Sequence, residues 1–292
     1  MAENQPEEIY RNGRIRALEN ASSRAAIVSD GGLTLIEANN QTTIQLQDVS
    51  RVECADILPD GSVWIGTEGP HIYRYAGGTV SKADAFDKFD GRDDFYTPWG
   101  GPASVRSFAH TANGQVYADI HVCSIIRSAD SGQSWEAVTP DLHEDVHQVV
   151  THSGEPDAVY ANTADAVFVS PDRGASWHHR ADGQPYRYGR AIAIHPEDPD
   201  AMIVSVSRGP HGDADGRLYR TPDRGRSWSH IVSGFPESTT TNIDTFQVAF
   251  TPDGRTWASV ERSLYVSEDK GEHWSTQTQF SDPIKKIAVP QD

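Results

Sequence analysis

Lysine is nearly absent. Of 25 basic residues only 5 are lysine, against 42 Asp and Glu, and the formal net charge is −17 over 292 residues. Neutralising a phosphate backbone needs clustered Lys and Arg, so nucleic-acid binding by a broad basic surface is excluded. An Asp-heavy, Lys-poor surface resembles that of proteins from salt-adapted organisms, and the expectation is a halophilic, acidic chain. Cysteine is scarce too. Cys54 and Cys123 make no disulfide framework and are expected as free thiols in a reducing compartment. No apolar run approaches the ~18 residues of a membrane span, so no membrane partner is expected. The start, MAENQPEEIYRNGR, lacks the basic and apolar regions of a secretory signal, which sets the expectation of a cytoplasmic protein. No cofactor is expected.

What is present is a repeat. The stretches SADSGQSW (128–135), SPDRGASW (170–177), TPDRGRSW (221–228) and SEDKGEHW (267–274) share one pattern, Ser/Thr-x-Asp-x-Gly-x-x-Trp, at spacings of 42, 51 and 46. A period in this range, with short β-type runs and no helical periodicity, predicts a β-propeller with four strands per blade. Upstream of each box lies a turn (TANG, SGEPD, PEDPD, TPDG), and before each turn a strand (SVRSFAH, DVHQVVT, GRAIAIH, DTFQVAF). Two units without a box precede these, at 24–47 and 51–80. The reading is one all-β domain over 1–292, a six-bladed propeller of four antiparallel strands per blade, with 1–12 a flexible N-terminal segment. The C-terminal IKKIAVP (284–290) is expected to close the ring by completing the first blade. Seven blades remain the alternative, because GRIRALEN (13–20) can itself be a first strand.

The box residues resemble the Asp-box, or BNR repeat, of sialidase-like propellers, sortilin and the photosystem II assembly-factor propellers. The resemblance is strong over roughly 105–292 and implies the fold rather than an activity. The chemistry of the box is that of a staple. Asp130, Asp172, Asp223 and Asp269 can hold nearby turn amides, the following glycines suit a positive φ, and the tryptophans can lie between blades. If the first strand of each blade lines the channel, the boxes emerge on one face and the strand 2–3 loops on the other, where propeller ligands usually sit.

On that other face, registering the first strands on their turns aligns Glu53, Arg106, His147, Arg190, Phe246 and Lys285 at the channel mouth. Five of the six are ionisable in strands that otherwise read as core. Arg106, Arg190 and Lys285 are expected to hold an anion such as a carboxylate or phosphate. His147 or His121 is the expected proton-transfer group, with Asp244 or Glu53 orienting a histidine or acting as the second acid/base. Asp119, His121 and Cys123 alternate on one strand face. Arg208 lies in a Gly-rich loop, and Tyr96 and Trp99 sit in the long crossover 86–104, suited to cover a sugar or other planar ligand.

HEDVH (143–147) matches the zinc-protease pattern, but Pro140 and the alternating DVHQVVTH predict a strand rather than the helix that pattern requires. The sialidase resemblance implies a first Arg near the N-terminus; Arg14 and Ile15 fit it, Arg16 stands in place of the proline, and no Tyr/Glu pair is identifiable. The expected function is binding of a small anionic or carbohydrate-like ligand, with hydrolase or lyase chemistry if the protein is an enzyme. The alternatives are a non-catalytic scaffold for a protein partner and, more weakly, a metal site built on His121 and His147.

Overall fold

The computed structural model describes residues 15–289 apart from 22–23, 30–31, 38–39 and 139–140. Six four-stranded antiparallel sheets follow one another along the chain, each a meander of sequence neighbours. Their first strands are Ile15–Ala21, Val52–Ile57, Val105–His110, Val146–His152, Tyr188–His195 and Val248–Phe250. First strands of successive blades lie against one another, so these strands are innermost in a six-bladed β-propeller. The middle strands VWIGT, VYADI and AVFVS are buried at every position, because neighbouring blades cover both of their faces. The outermost strand STQTQ is exposed almost throughout. That gradient explains why the middle strands read as continuous apolar runs rather than as alternation.

Blade one departs from the expectation in one respect. Its first strand is Ile15–Ala21, paired with Arg24–Ser29, and not the C-terminal segment. A strand next in sequence closes a far shorter loop than one from the other end of the chain. The segment 281–289 runs irregularly along blade six instead. Ile284 N–H donates to the Glu261 carbonyl and Ile287 N–H to that of Phe246, while Ile284, Ile287 and Val289 pack on Trp257, Leu264 and Val266. The strand Ile15–Ala21, within the stretch that left seven blades open, therefore completes the first of six. Residues 1–12 lie outside the described residues.

The boxes are built as staples. In each, the Asp accepts the hydroxyl of the leading Ser or Thr at 2.6–2.9 Å and the backbone N–H four residues on at 2.8–2.9 Å. The leading hydroxyl oxygen in turn accepts the glycine N–H. The glycine is required twice over. Gly271 has φ +85°, and a Cβ there would stand 2.4 Å from Cδ1 of Ile203 on blade five; one on Gly132 would stand 2.2 Å from the Trp64 ring on blade two. The box turn is thus pressed onto the preceding blade. Gly271→Ala should lower stability by about 2 kcal/mol, from the left-handed backbone together with overpacking, read as a lower urea midpoint at unchanged slope.

Candidate functional site

The mouth residues are placed by β-bulges. The first strand of blade two skips from Val52↔Thr67 to Cys54↔Gly66, that of blade three from Val105↔Ile120 to Ser107↔Asp119, and that of blade four from Val146↔Thr163 to Gln148↔Asn162. The residue skipped in the strand register is Glu53, Arg106 and His147 in turn. Blade five has the same irregularity between Gly189 and Ile192, which spans Arg190. A bulge frees one residue from the pleat and re-aims its side chain, and such features concentrate beside functional sites.

Arg106, His121, His147, Arg190 and Asp244 form one electrostatic cluster. His147 Nδ1 donates to the Gly189 carbonyl, and since a carbonyl only accepts, this nitrogen carries the proton. His147 Nε2 then faces Asp145 Oδ1 at 3.4 Å, and His121 Nε2 faces the same oxygen at 3.9 Å. Asp145 Oδ1 is buried without a hydrogen bond. An imidazole nitrogen and a carboxylate oxygen so opposed can pass one proton between them. Burial first, then the field of Arg106, depresses the His121 pKa to about 4; burial also lowers that of His147. Burial raises the Asp145 pKa, but His147, His121 and Arg106 outweigh it and hold the carboxyl low. Asp119, fully buried and accepting the Ser107 hydroxyl at 3.2 Å, has its pKa pushed well up by burial despite Arg106.

The cations are arranged unequally. Arg190 is engaged: it donates to the Tyr188 hydroxyl at 2.9 Å, lies over that ring at 5.1 Å, and meets Asp244 at 3.4 Å. Its Nε is buried without a partner. The Tyr188 ring packs 4.8 Å from His147. Arg106 is half-buried and makes no hydrogen bond or ion pair with any described residue. It acts on Asp119, His121, Asp145, His147, Tyr188 and Asp244 through its field alone.

Other expected residues lie elsewhere. Lys285 is exposed, and the lysine that reaches the mouth is Lys286, 3.9 Å from Asp244 and over the Phe246 ring. Glu53 pairs with Arg51, which also pairs with Glu68 at 2.8 Å. Arg208 belongs to a separate latch on the blade-five loop, donating to Tyr186 at 3.0 Å and meeting Asp215 at 3.2 Å. Tyr96 and Trp99 are 62% and 68% exposed, and the Trp99 ring lies 5.3 Å from that of His121, which puts the crossover beside the cluster. Arg14 lies outside the described residues. His143 lies in an irregular segment and His147 on a strand, so HEDVH is no helical metal motif. Among the described residues, the one trio with all candidate ligand atoms within 4.8 Å of each other is Asp269, Glu272 and His273, on the box face and exposed.

Sequence reasoning missed Asp145, Tyr188 and Lys286. Asp145 was hidden inside HEDVH, and only the fold shows that it stands between two histidines from different blades. A cleft of ≈350 Å³ lined by Gln45, Leu46, Val49 and Arg51 lies away from this cluster. Its one charged group, Arg51, is already committed to Glu53 and Glu68, so it offers no converging chemistry.

Residues 123–237 match the model of the Sortilin-Vps10 family. Over 108 residues the chain is 28% identical to the vacuolar protein sorting/targeting protein 10 of Colletotrichum graminicola, covering 36% of this chain and 7% of that protein. Over 120 residues it is 29% identical to an oligoxyloglucan-reducing end-specific xyloglucanase of Emericella nidulans, covering 37% of this chain and 14% of that one. Among solved structures, an ancestral GH74 enzyme superposes over 95% of this chain and 40% of its own, at TM-score 0.71 and 16% identity. YCF48 bound to D1 peptide superposes over 87% of this chain and 77% of its own, at TM-score 0.57 and 14% identity. The chain thus spans a small part of the curated relatives it matches, and the structural likeness is one of fold. The chain is a six-bladed β-propeller carrying four Asp-boxes, similar over residues 123–237 to the Sortilin-Vps10 family and similar in fold to YCF48.

Proposed function

We propose that the protein binds a small anionic or carbohydrate-like ligand at the channel mouth, on the face opposite the boxes. The observation that carries this reading is Arg106, a half-buried guanidinium on a bulge, without an ion-pair partner among the described residues in a chain of formal charge −17. Arg190 and Lys286 both face Asp244, so Arg106 is the guanidinium left for an incoming group on an acidic molecule, which favours a single anion over a polyanion. His121, His147 and Asp145 give the same site groups that can take and return a proton, suited to hydrolase or lyase chemistry on such a ligand. That a xyloglucanase and an ancestral GH74 enzyme share the fold supports a carbohydrate among the candidates.

Titration calorimetry with inorganic phosphate, sulfate, acetate and citrate tests the reading. At least one anion should bind, and Arg106→Gln should weaken it by 10-fold or more, the loss of a charge-assisted contact of 1.5–3 kcal/mol scale at roughly its lower bound. Absence of binding, or equal binding by the variant, overturns it. A second reading is a scaffold for a protein, favoured by the exposure of Tyr96 and Trp99 on one crossover. The Sortilin-Vps10 match and the peptide complex of YCF48 support it. Its signature is loss of a captured partner in Tyr96→Ala/Trp99→Ala with anion binding untouched.

A further inference from the structure

Trp99 has no reason within the fold to be where it is. At 68% exposure it is the most exposed large hydrophobic side chain among the described residues. Its crossover is otherwise well anchored. A short helix, Asp84–Asp87, buries Phe86 against Trp135 at 5.3 Å, and Thr97 accepts Gly100 N–H and donates its own N–H to Gly101. The tip is therefore held on a fixed base and presents Trp99 and Tyr96 outward. One side of the Trp99 ring contacts His121 at 5.3 Å, tilted by 53°. From there the chemistry continues without a gap: His121 to Asp145, Asp145 to His147, and the field of Arg106 over all three.

Three demands follow for an occupant. An exposed indole needs a flat apolar face, which planar rings and the C–H face of a pyranose supply. Arg106 needs an anion, and a carboxylate matches its planar fork in two parallel bonds. Asp145, 22% exposed at the side chain, offers an acceptor in front of the buried His147, so the occupant should also carry hydroxyl donors. A free phosphate meets only the second demand. A neutral sugar meets the first and third. A small carboxylic acid without hydroxyls meets the second, and the first only if aromatic.

We propose that the mouth takes a pyranose bearing a carboxylate, a uronic acid residue of a glycan, with its C–H face on Trp99 and its carboxylate on Arg106. This rests on the reading of the mouth as an anion site and narrows it to one class. The acidic surround also fits a single charged sugar better than a run of them, because every further carboxylate would face a surface of net negative charge.

The test is calorimetric titration of the whole chain with the methyl glycosides of glucuronic, galacturonic and mannuronic acid, alongside the matching neutral methyl hexosides and acetate. One uronide should bind at least 10-fold more tightly than both its neutral counterpart and acetate. Trp99→Ala and Arg106→Gln should each weaken it by 10-fold or more, while Trp99→Ala leaves acetate and phosphate unchanged. Trp99 is exposed, so its removal carries no folding cost, and circular dichroism melts confirm this for both variants. Equal affinity for uronide and acetate, with no effect of Trp99→Ala, overturns the sugar while the anion site stands. Equal affinity for uronide and neutral hexoside, unaffected by Arg106→Gln, overturns the carboxylate. No binding of any uronide overturns the proposal, and the phosphate, sulfate and citrate titrations then decide the anion site separately.

Discussion

Trp274→Ala should cost 3–5 kcal/mol of unfolding free energy, the usual range for deleting a buried tryptophan from a core. Trp274 is 6% exposed and is shared between two blades: Ala191 and Ile203 of blade five and Val248 and Ala258 of blade six lie in the same cluster. Its Nε1 donates to the Gly271 carbonyl at 3.0 Å, and Phe235 packs on it at 5.2 Å. Deletion therefore opens a cavity at the junction and leaves the Gly271 carbonyl without its donor. Trp135 is the contrast. It is only half-buried, though it meets Trp64 at 5.7 Å and Phe86 at 5.3 Å, so Trp135→Ala should cost about half as much. Urea unfolding gives both numbers. The second half of the expectation concerns location. The box face and the mouth are at opposite ends of the blades, so the Trp274 variant, while folded, should bind anions as the parent does. A box tryptophan whose removal spared stability but abolished binding would mean that the boxes, not the mouth, hold the ligand.

The boxes were legible because everything that defines them is local. Asp, Gly and the hydroxyl bond to one another within eight residues, so their spacing measures the blade directly. The mouth was legible in outline for the same reason: a first strand begins at a nearly constant distance before its turn, and Arg106, His147 and Arg190 fall in register. The bulges were not legible, because an extra residue exists only relative to a partner strand. Glu53 obeyed the register and still went to Arg51, two residues away, since a local ion pair needs no fold to form. Lys285 failed differently. The register assumed a strand at 284–290, and 284–289 is irregular, so the neighbouring lysine reaches the mouth. Asp145 became visible only when blade three delivered His121 to it.

His121 should make acidification from pH 7 to pH 4 destabilise the fold, working against Asp119, whose raised pKa has the native state take up a proton first. Its pKa falls from 6.5 to about 4 in the folded state, through burial first and the adjoining Arg106 second; His147 and Arg190 push the same way and Asp145 opposes them. The folded value is the lower one, so in the window between 4 and 6.5 the unfolded chain holds the proton and the native one does not. Stability is then full above about 6.5 and declines as pH falls, by on the order of 3 kcal/mol once the native imidazole also titrates. The direction for His147 is the same, since burial lowers its pKa too. Asp145 contributes below this window, because its depressed pKa makes it lose stability only under about 3.8. The neutral His121→Gln variant should flatten the dependence between pH 6.5 and 4, read as urea midpoints at half-unit steps. An unchanged slope would mean that His121 titrates as a solvated imidazole and that Arg106 does not face it. The same desolvated imidazole holds a neutral base at pH 7, 3.9 Å from Asp145 and with its ring 5.3 Å from that of Trp99.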